Sequence, residues 1–215
     1  MYNQLRAKIL AAEFLPGETL SLRGMAAKFG VSLVPIREAV FQLGSEGILI
    51  IESNKRIQVS KLKIPTFKEI LNLRLLLESE AIEQACNKRP KSAVAKVEKI
   101  LEKMKQTAGV NPKLYATLNT KFHNTIYSYA DSPQLEELIH RLLARVMPYI
   151  YLFAIHGRNL DSAMESHMNM FKGFLQGDGK TAAEALCKDL QVAGEYILAR
   201  LKEEQLSDKE SRPVS

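Results

Sequence analysis

The stretch Val31-Ser32-Leu33-Val34-Pro35-Ile36-Arg37-Glu38-Ala39-Val40, followed by Glu46-Gly47-Ile48-Leu49-Ile50-Ile51 and Asn54-Lys55-Arg56-Ile57-Gln58-Val59, decides the fold. It reads as a short turn, an amphipathic helix led by small and basic residues, then two apolar strands joined by a basic tip. A winged helix-turn-helix needs that succession: one helix sized for a major groove and one β-wing able to reach phosphate or a minor groove. The activity implied is binding to double-stranded DNA.

The neighbouring segments support the same unit. Residues 2–13 have Leu5, Ile9 and Leu10 on one helical face, and Pro16-Gly17 then turns the chain. Ser21 is placed to cap a helix carrying Leu22, Met25, Ala26 and Phe29, which Gly30 ends. Ser32 can cap a third helix through Ser45, with Ile36, Val40 and Leu43 facing inward. The β-branched runs 48–51 and 57–60 predict a hairpin.

Beyond Thr66 only helical periodicity is left. Helices are predicted over 66–88, 91–108, 112–130, 133–156, 159–177 and 180–205, broken at Arg89-Pro90, Gly109 to Pro112, Ser132-Pro133 and Gly177 to Gly179. The expected fold class is mainly α. A winged helix-turn-helix with a small β-hairpin (1–62) leads through a linker (63–66) to an all-α six-helix bundle (67–205), and a polar tail (206–215) is expected to fray.

Composition narrows the class. The 215 residues are 46% apolar and 25% charged, ordinary for a globular protein. No run of about eighteen uncharged apolar residues occurs, so no membrane span is expected. MYNQLRAKIL lacks a signal peptide's apolar core. Cys86 and Cys187 have no metal-type spacing and suggest free thiols in a cytoplasmic protein. Residues 1–62 carry a net charge of +3 and the other 153 residues also carry +3. Charge density is thus highest where DNA contact is expected.

These residues resemble the GntR family of bacterial transcription regulators. The resemblance rests on Pro16-Gly17-Glu18-x-Leu20, Met25-Ala26-x-x-Phe29-Gly30-Val31-Ser32, Pro35-Ile36-Arg37-Glu38-Ala39-Val40, Leu43-x-x-Glu46-Gly47-Ile48 and Ile57-x-Val59. The helical remainder is similar to the FCD ligand-sensing domain of the FadR-type subfamily, through Leu73-Arg74-x-x-x-Glu78, Phe122-His123 and Gly177-Asp178 before an alanine-rich helix. The resemblance implies a homodimeric, ligand-responsive regulator, a repressor released by a small organic acid effector and bound to a pseudo-palindromic operator, with no enzyme activity.

It also implies site residues. DNA contacts correspond to Arg23, Ser32, Leu33, Val34 and Arg37. Either arginine can fork onto guanine, clamp phosphate or make only a surface ion pair. Ser32 can cap the helix and donate to phosphate. Leu33 and Val34 stand where an arginine and a threonine are usual; they can touch thymine methyls or pack against a neighbouring helix. At the wing tip Lys55 suits phosphate. Arg56 replaces a usual glycine and can enter a narrow minor groove or stop at phosphate. Glu38 is expected to be structural, since DNA would repel a carboxylate.

In many FCD domains an Asp and three His hold a metal. The corresponding positions are Asn119, His123, His167 and Asp189, a double departure from that pattern. Nitrogen and oxygen donors of this kind suit one Zn, Mn, Ni or Fe ion per subunit, while a metal-free polar pocket is the alternative. Arg74 can pair with an anionic ligand or with Glu78 one turn on. Arg141 and Arg145 are further candidates for a ligand carboxylate, or belong to a solvated helix face. Rival readings are a DNA-binding dimer with a vestigial sensor, and a helical-bundle metalloenzyme using His123, His167 and Asp189.

Overall fold

The computed structural model describes residues 1–54, 56–156 and 160–210. Nine α-helices and three short strands are found among them. The N-terminal unit comprises α1 (Tyr2–Leu10), β1 (Thr19–Leu20), α2 (Leu22–Phe29), α3 (Leu33–Ser45), β2 (Leu49–Ile51) and β3 (Ile57–Val59). Leu5, Ile9, Met25, Ile36, Val40, Leu43, Ile57 and Val59 close its core. Ser21 caps α2, its hydroxyl accepting the Gly24 N–H at 3.0 Å, and Gly30 ends α2 at φ +65. Ser32 precedes α3 without a side-chain cap bond, contrary to its expected capping role. The wing has one strand more than the hairpin expected: β1 pairs antiparallel with β3, giving the order β1-β3-β2. Two residues are too few for period-two alternation to register.

The bundle is built from α4 (Ile64–Lys88), α5 (Lys91–Thr107), α6 (Pro112–Tyr127), α7 (Pro133–His156), α8 (Leu160–Gln176) and α9 (Gly179–Glu210). Its starts and stops correct the predicted boundaries. The expected linker 63–66 is mostly helix, because Pro65 sits in the first turn of α4 where its missing N–H costs nothing. The helix predicted over 112–130 ends at Tyr127 and tightens into a 3-10 turn, Ser128–Ala130. The tail expected to fray is helical to Glu210, and 211–215 lie outside the described residues.

Helix α7 is long and apolar enough, by length and composition alone, to cross a membrane. Here Ile139, Leu143, Val146, Tyr149 and Ile150 are instead core residues of the bundle. Ala144, on the same helix, belongs to the core of the N-terminal unit. The Leu62 N–H also donates to Tyr149 Oη at 3.0 Å, so α7 holds the junction between the two cores. Helices α8 and α9 cross closely at Gly173, where a Cβ would come within 2.6 Å of the Ala182 backbone nitrogen. That crossing places His167 of α8 opposite Asp189 of α9.

Candidate functional site

The start of α3, the start of α2 and the wing border an open groove lined by Leu20, Ser21, Leu22, Arg23, Leu33, Arg37 and Ile57. Both arginines thus reach the surface expected to meet DNA. Leu33 is 39% exposed and shares that groove with Leu22 of α2, while Val34 is 62% exposed. Arg56 lies back along the wing, donating from Nε and Nη2 to Thr19 Oγ1 at 3.2 and 3.0 Å. Thr19 was missed in the sequence because β1 was. Lys55 lies outside the described residues. Glu38 is exposed beside Arg37 and Phe41, and nothing among the described residues bonds to it; the expected structural role is not seen.

The second site is a cavity of about 40 Å³ inside the bundle, open at one side. Helix α6 enters it along one stripe: Tyr115, Asn119, His123 and Tyr127 follow at i,i+4 steps and share a face. His123 Nε2 and His167 Nε2 lie 3.1 Å apart. Asp189 Oδ2 is 3.5 Å from the first and Oδ1 3.5 Å from the second. Asn119, half-buried, lines the same cavity.

A hydrogen-bonded chain stands behind His123. Arg74 Nε donates to Glu78 Oε1 at 2.6 Å, and Tyr127 Oη donates to Glu78 Oε2 at 2.6 Å. Arg74 therefore makes the helical pair with Glu78 and lines the cavity as well. His123 Nδ1 is 3.2 Å from Tyr127 Oη. The direction of this chain follows from its end. An ionised Glu78 can only accept, so Tyr127 spends its proton on Glu78 and its oxygen must accept from His123. Burial, then the Glu78 charge, push the Tyr127 pKa well above its ordinary value, so that proton stays. His123 thus carries a proton on Nδ1 and turns its Nε2 toward His167 and Asp189.

His167 is fully buried, and burial pushes its pKa down to about 4, only partly opposed by the Asp189 charge. It is a neutral imidazole near pH 7. Its Nδ1 has no hydrogen bond of good geometry, only a weak interaction with the Ala163 carbonyl. Burial works to raise Asp189, but the facing His167 and His123 and the more distant Arg74 hold its carboxyl below the ordinary value.

Two imidazole nitrogens and one carboxylate converge. Donors about 2.0–2.2 Å from one ion stand about 3.0–3.5 Å from one another, the spacing found here. The donor set fits a borderline divalent metal. Neither Arg141 nor Arg145 reaches the cavity. Arg141 is a surface residue paired with Glu137 at 2.6 Å. Arg145 packs beside Gly47 of the N-terminal unit, its buried Nε without a hydrogen bond. Tyr115 and Asn124 line the cavity and were not singled out in the sequence; the i,i+4 stripe was the signal that could have found Tyr115.

Comparison with known proteins agrees with both halves. Residues 1–59 match the bacterial regulatory proteins of the gntR family and residues 69–191 match the FCD domain. The chain is 29% identical over 143 residues to the HTH-type transcriptional regulator YdhC of Bacillus subtilis (strain 168), covering 66% of this chain and 64% of that protein. It is 24% identical over 200 residues to the HTH-type transcriptional repressor RspR of Escherichia coli (strain K12), covering 92% and 87%. The structure of E. coli McbR/YncC superposes with a TM-score of 0.83 at 22% identity, over 95% of this chain and 96% of that one. The chain belongs to the GntR family of bacterial transcription regulators, in the group carrying a C-terminal FCD domain, and is a regulator rather than an enzyme.

Proposed function

We propose that this regulator is a cytoplasmic, homodimeric repressor whose grip on a pseudo-palindromic operator is controlled by a small organic acid in the bundle cavity, assisted by one divalent transition metal. The observation that carries the reading is the role of α7. Its Leu143, Met147 and Ile150 form a wall of the cavity, while Ala144 is packed in the core of the DNA-binding unit. A ligand pressing on one side of this helix acts on the other through packed side chains. It shifts DNA affinity by as much as it prefers one arrangement of the two units.

His123, His167 and Asp189 would hold the metal, with Asn119 as a fourth donor from the same helix face. The metal would supply a Lewis-acid anchor for a carboxylate. The protein's own part is to keep His123 in the right tautomer, hold Asp189 ionised and surround the ligand with apolar walls. Arg23, Ser32, Leu33, Val34, Arg37, Lys55 and Arg56 of the unit 1–62 would face DNA, two such units of a dimer meeting successive half-sites. The Ser32 hydroxyl, not used in capping, is available to phosphate. A metal-free polar pocket is the second reading, supported by the direct 3.1 Å contact between the imidazoles.

Elemental analysis of the tag-free protein and of a His123→Ala/His167→Ala variant separates these readings, the first requiring about one metal per subunit that the variant loses. Gel-shift titration on a selected operator tests the regulation. Protection of DNA by metal-loaded protein, and its loss on adding an organic acid, are expected; insensitivity to every acid and chelator would leave a vestigial sensor.

A further inference from the structure

The exposed face of α3 does not end at Arg37. We propose that Phe41 is a further sequence-reading residue of this regulator, its ring meeting the 5-methyl group of an operator thymine one helical turn beyond Arg37. The inference rests on the DNA-facing surface proposed above and carries base readout from the first turns of α3 into its third.

Helical phase is the first argument. Arg37, Glu38 and Phe41 follow Val34 by three, four and seven residues, which brings all four to one face of the helix. All four are exposed. The third helix of a homeodomain, which lies along the major groove, reads DNA with four residues at these same offsets. From Val34 to Phe41 the helix advances about 10 Å, or about three base-pair steps of a duplex.

Continuity is the second argument. The groove between α2, α3 and the wing and an open surface along α3 share one residue, Arg37. Beyond it that surface is lined by Glu38, Phe41, Gln42 and Ser45, all from α3, and no other element among the described residues lines it. Phe41 is 75% exposed, whereas the other seven phenylalanines are buried or half-buried. A lone exposed apolar side chain elsewhere on a protein needs no explanation. This one stands on the helix face that also carries Arg37 and Val34.

The third argument is chemical. A phenyl ring has no strong hydrogen-bonding group, so it can neither clamp phosphate nor fork onto guanine. The apolar feature of the major groove is the thymine C5-methyl group, which phenylalanine contacts. Burial of one methyl is worth about a fourfold gain in affinity. Glu38 on the same face does not exclude DNA, because a carboxylate accepts from the cytosine N4 amino group.

Fluorescence anisotropy of the full-length chain on an operator selected from random duplexes, at several fixed salt concentrations, tests the assignment. Each operator thymine is replaced in turn by uracil, which removes only the 5-methyl group. In the wild type at least one thymine, distinct from any that Leu33→Ala/Val34→Ala silences, should cost about fourfold on replacement. In Phe41→Ala that cost should vanish, and affinity for the unmodified operator should fall by at least the same factor. Binding to non-specific DNA and the slope of affinity against salt should stay unchanged, since no phosphate contact is removed. Phe41→Gln should behave alike, and thermal midpoints check that each variant is folded. A folded variant that binds the operator like wild type, weakens operator and non-specific DNA equally, or keeps every uracil cost overturns this inference alone. So does a variant that loses the dimer in sedimentation with its uracil costs intact, which would assign the ring to a contact between copies. Arg37→Ala controls the underlying reading: full operator affinity in that variant overturns the DNA-facing surface and this inference with it.

Discussion

Replacing Tyr127 by Phe removes one oxygen from the chain Arg74–Glu78–Tyr127–His123 and leaves the ring in place. Glu78 keeps its 2.6 Å bond from Arg74 Nε, so its charge stays paired. His123 loses the acceptor, now 3.2 Å from its Nδ1, that holds the proton on that nitrogen. Nothing then favours the tautomer with a bare Nε2 over the one with Nε2–H, which cannot bind a metal. Losing an outer-shell partner of a ligating histidine typically lowers metal affinity about 10- to 100-fold, or about 1.4–2.7 kcal/mol. Competition against a chelator of known Zn affinity measures that loss. Heteronuclear NMR of the imidazole nitrogens in metal-free protein provides a readout that a simple packing defect would not move. The wild type should show His123 protonated at Nδ1, and Tyr127→Phe should show a tautomer mixture. Unchanged affinity together with an unchanged His123 tautomer would refute the reasoning.

Three further outcomes follow from the geometry. Folding lowers the pKa of His167 from 6.5 to about 4, so its contribution to stability is complete above pH 6.5 and is lost as pH falls through 4, up to roughly 3 kcal/mol; urea midpoints of metal-free protein should fall over this window, and His167→Gln should flatten the fall. Gly173→Ala drives a methyl into the Ala182 backbone and should cost about 1–3 kcal/mol while weakening metal binding, because the crossing it spreads holds His167 against Asp189; a thermal midpoint equal to wild type would count against that close crossing. On a selected operator, replacing thymine by uracil removes only the 5-methyl group; if exposed Leu33 and Val34 read thymine, affinity should drop at those positions in the wild type but not in a Leu33→Ala/Val34→Ala variant, and an equal drop in both would remove them from base readout.

Most of the chain's local organisation was legible before any fold was known. Gly30 ends α2 and Pro133 opens α7 because each acts through its own φ and N–H, without needing a distant partner. The apolar spacing of Leu5 and Ile9, or of Ile36, Val40 and Leu43, selects a helix face for the same local reason. The boundaries that were missed depend on neighbours. Strand β1 exists only because β3 lies beside it, and residues 206–210 are helical although nothing local in that polar segment specifies it.

The candidate site divides along the same line. Asn119, His123, His167 and Asp189 could be named from their positions relative to a family pattern, the first two one turn apart on the same helix face. Their convergence to 3.1–3.5 Å needs α6, α8 and α9 packed together, and the close crossing at Gly173 is part of that packing. Arg141 and Arg145 carry the same charge on the same helix, and residue type alone could not exclude them from the cavity. The roll of α7 in the bundle sends one to solvent beside Glu137 and the other to Gly47 of the DNA-binding unit. The tautomer of His123 belongs to this second class. Chemical type and helical phase are short-range properties written residue by residue. Proton position, burial and donor convergence are set by groups tens of residues apart, and they exist only once the chain is packed.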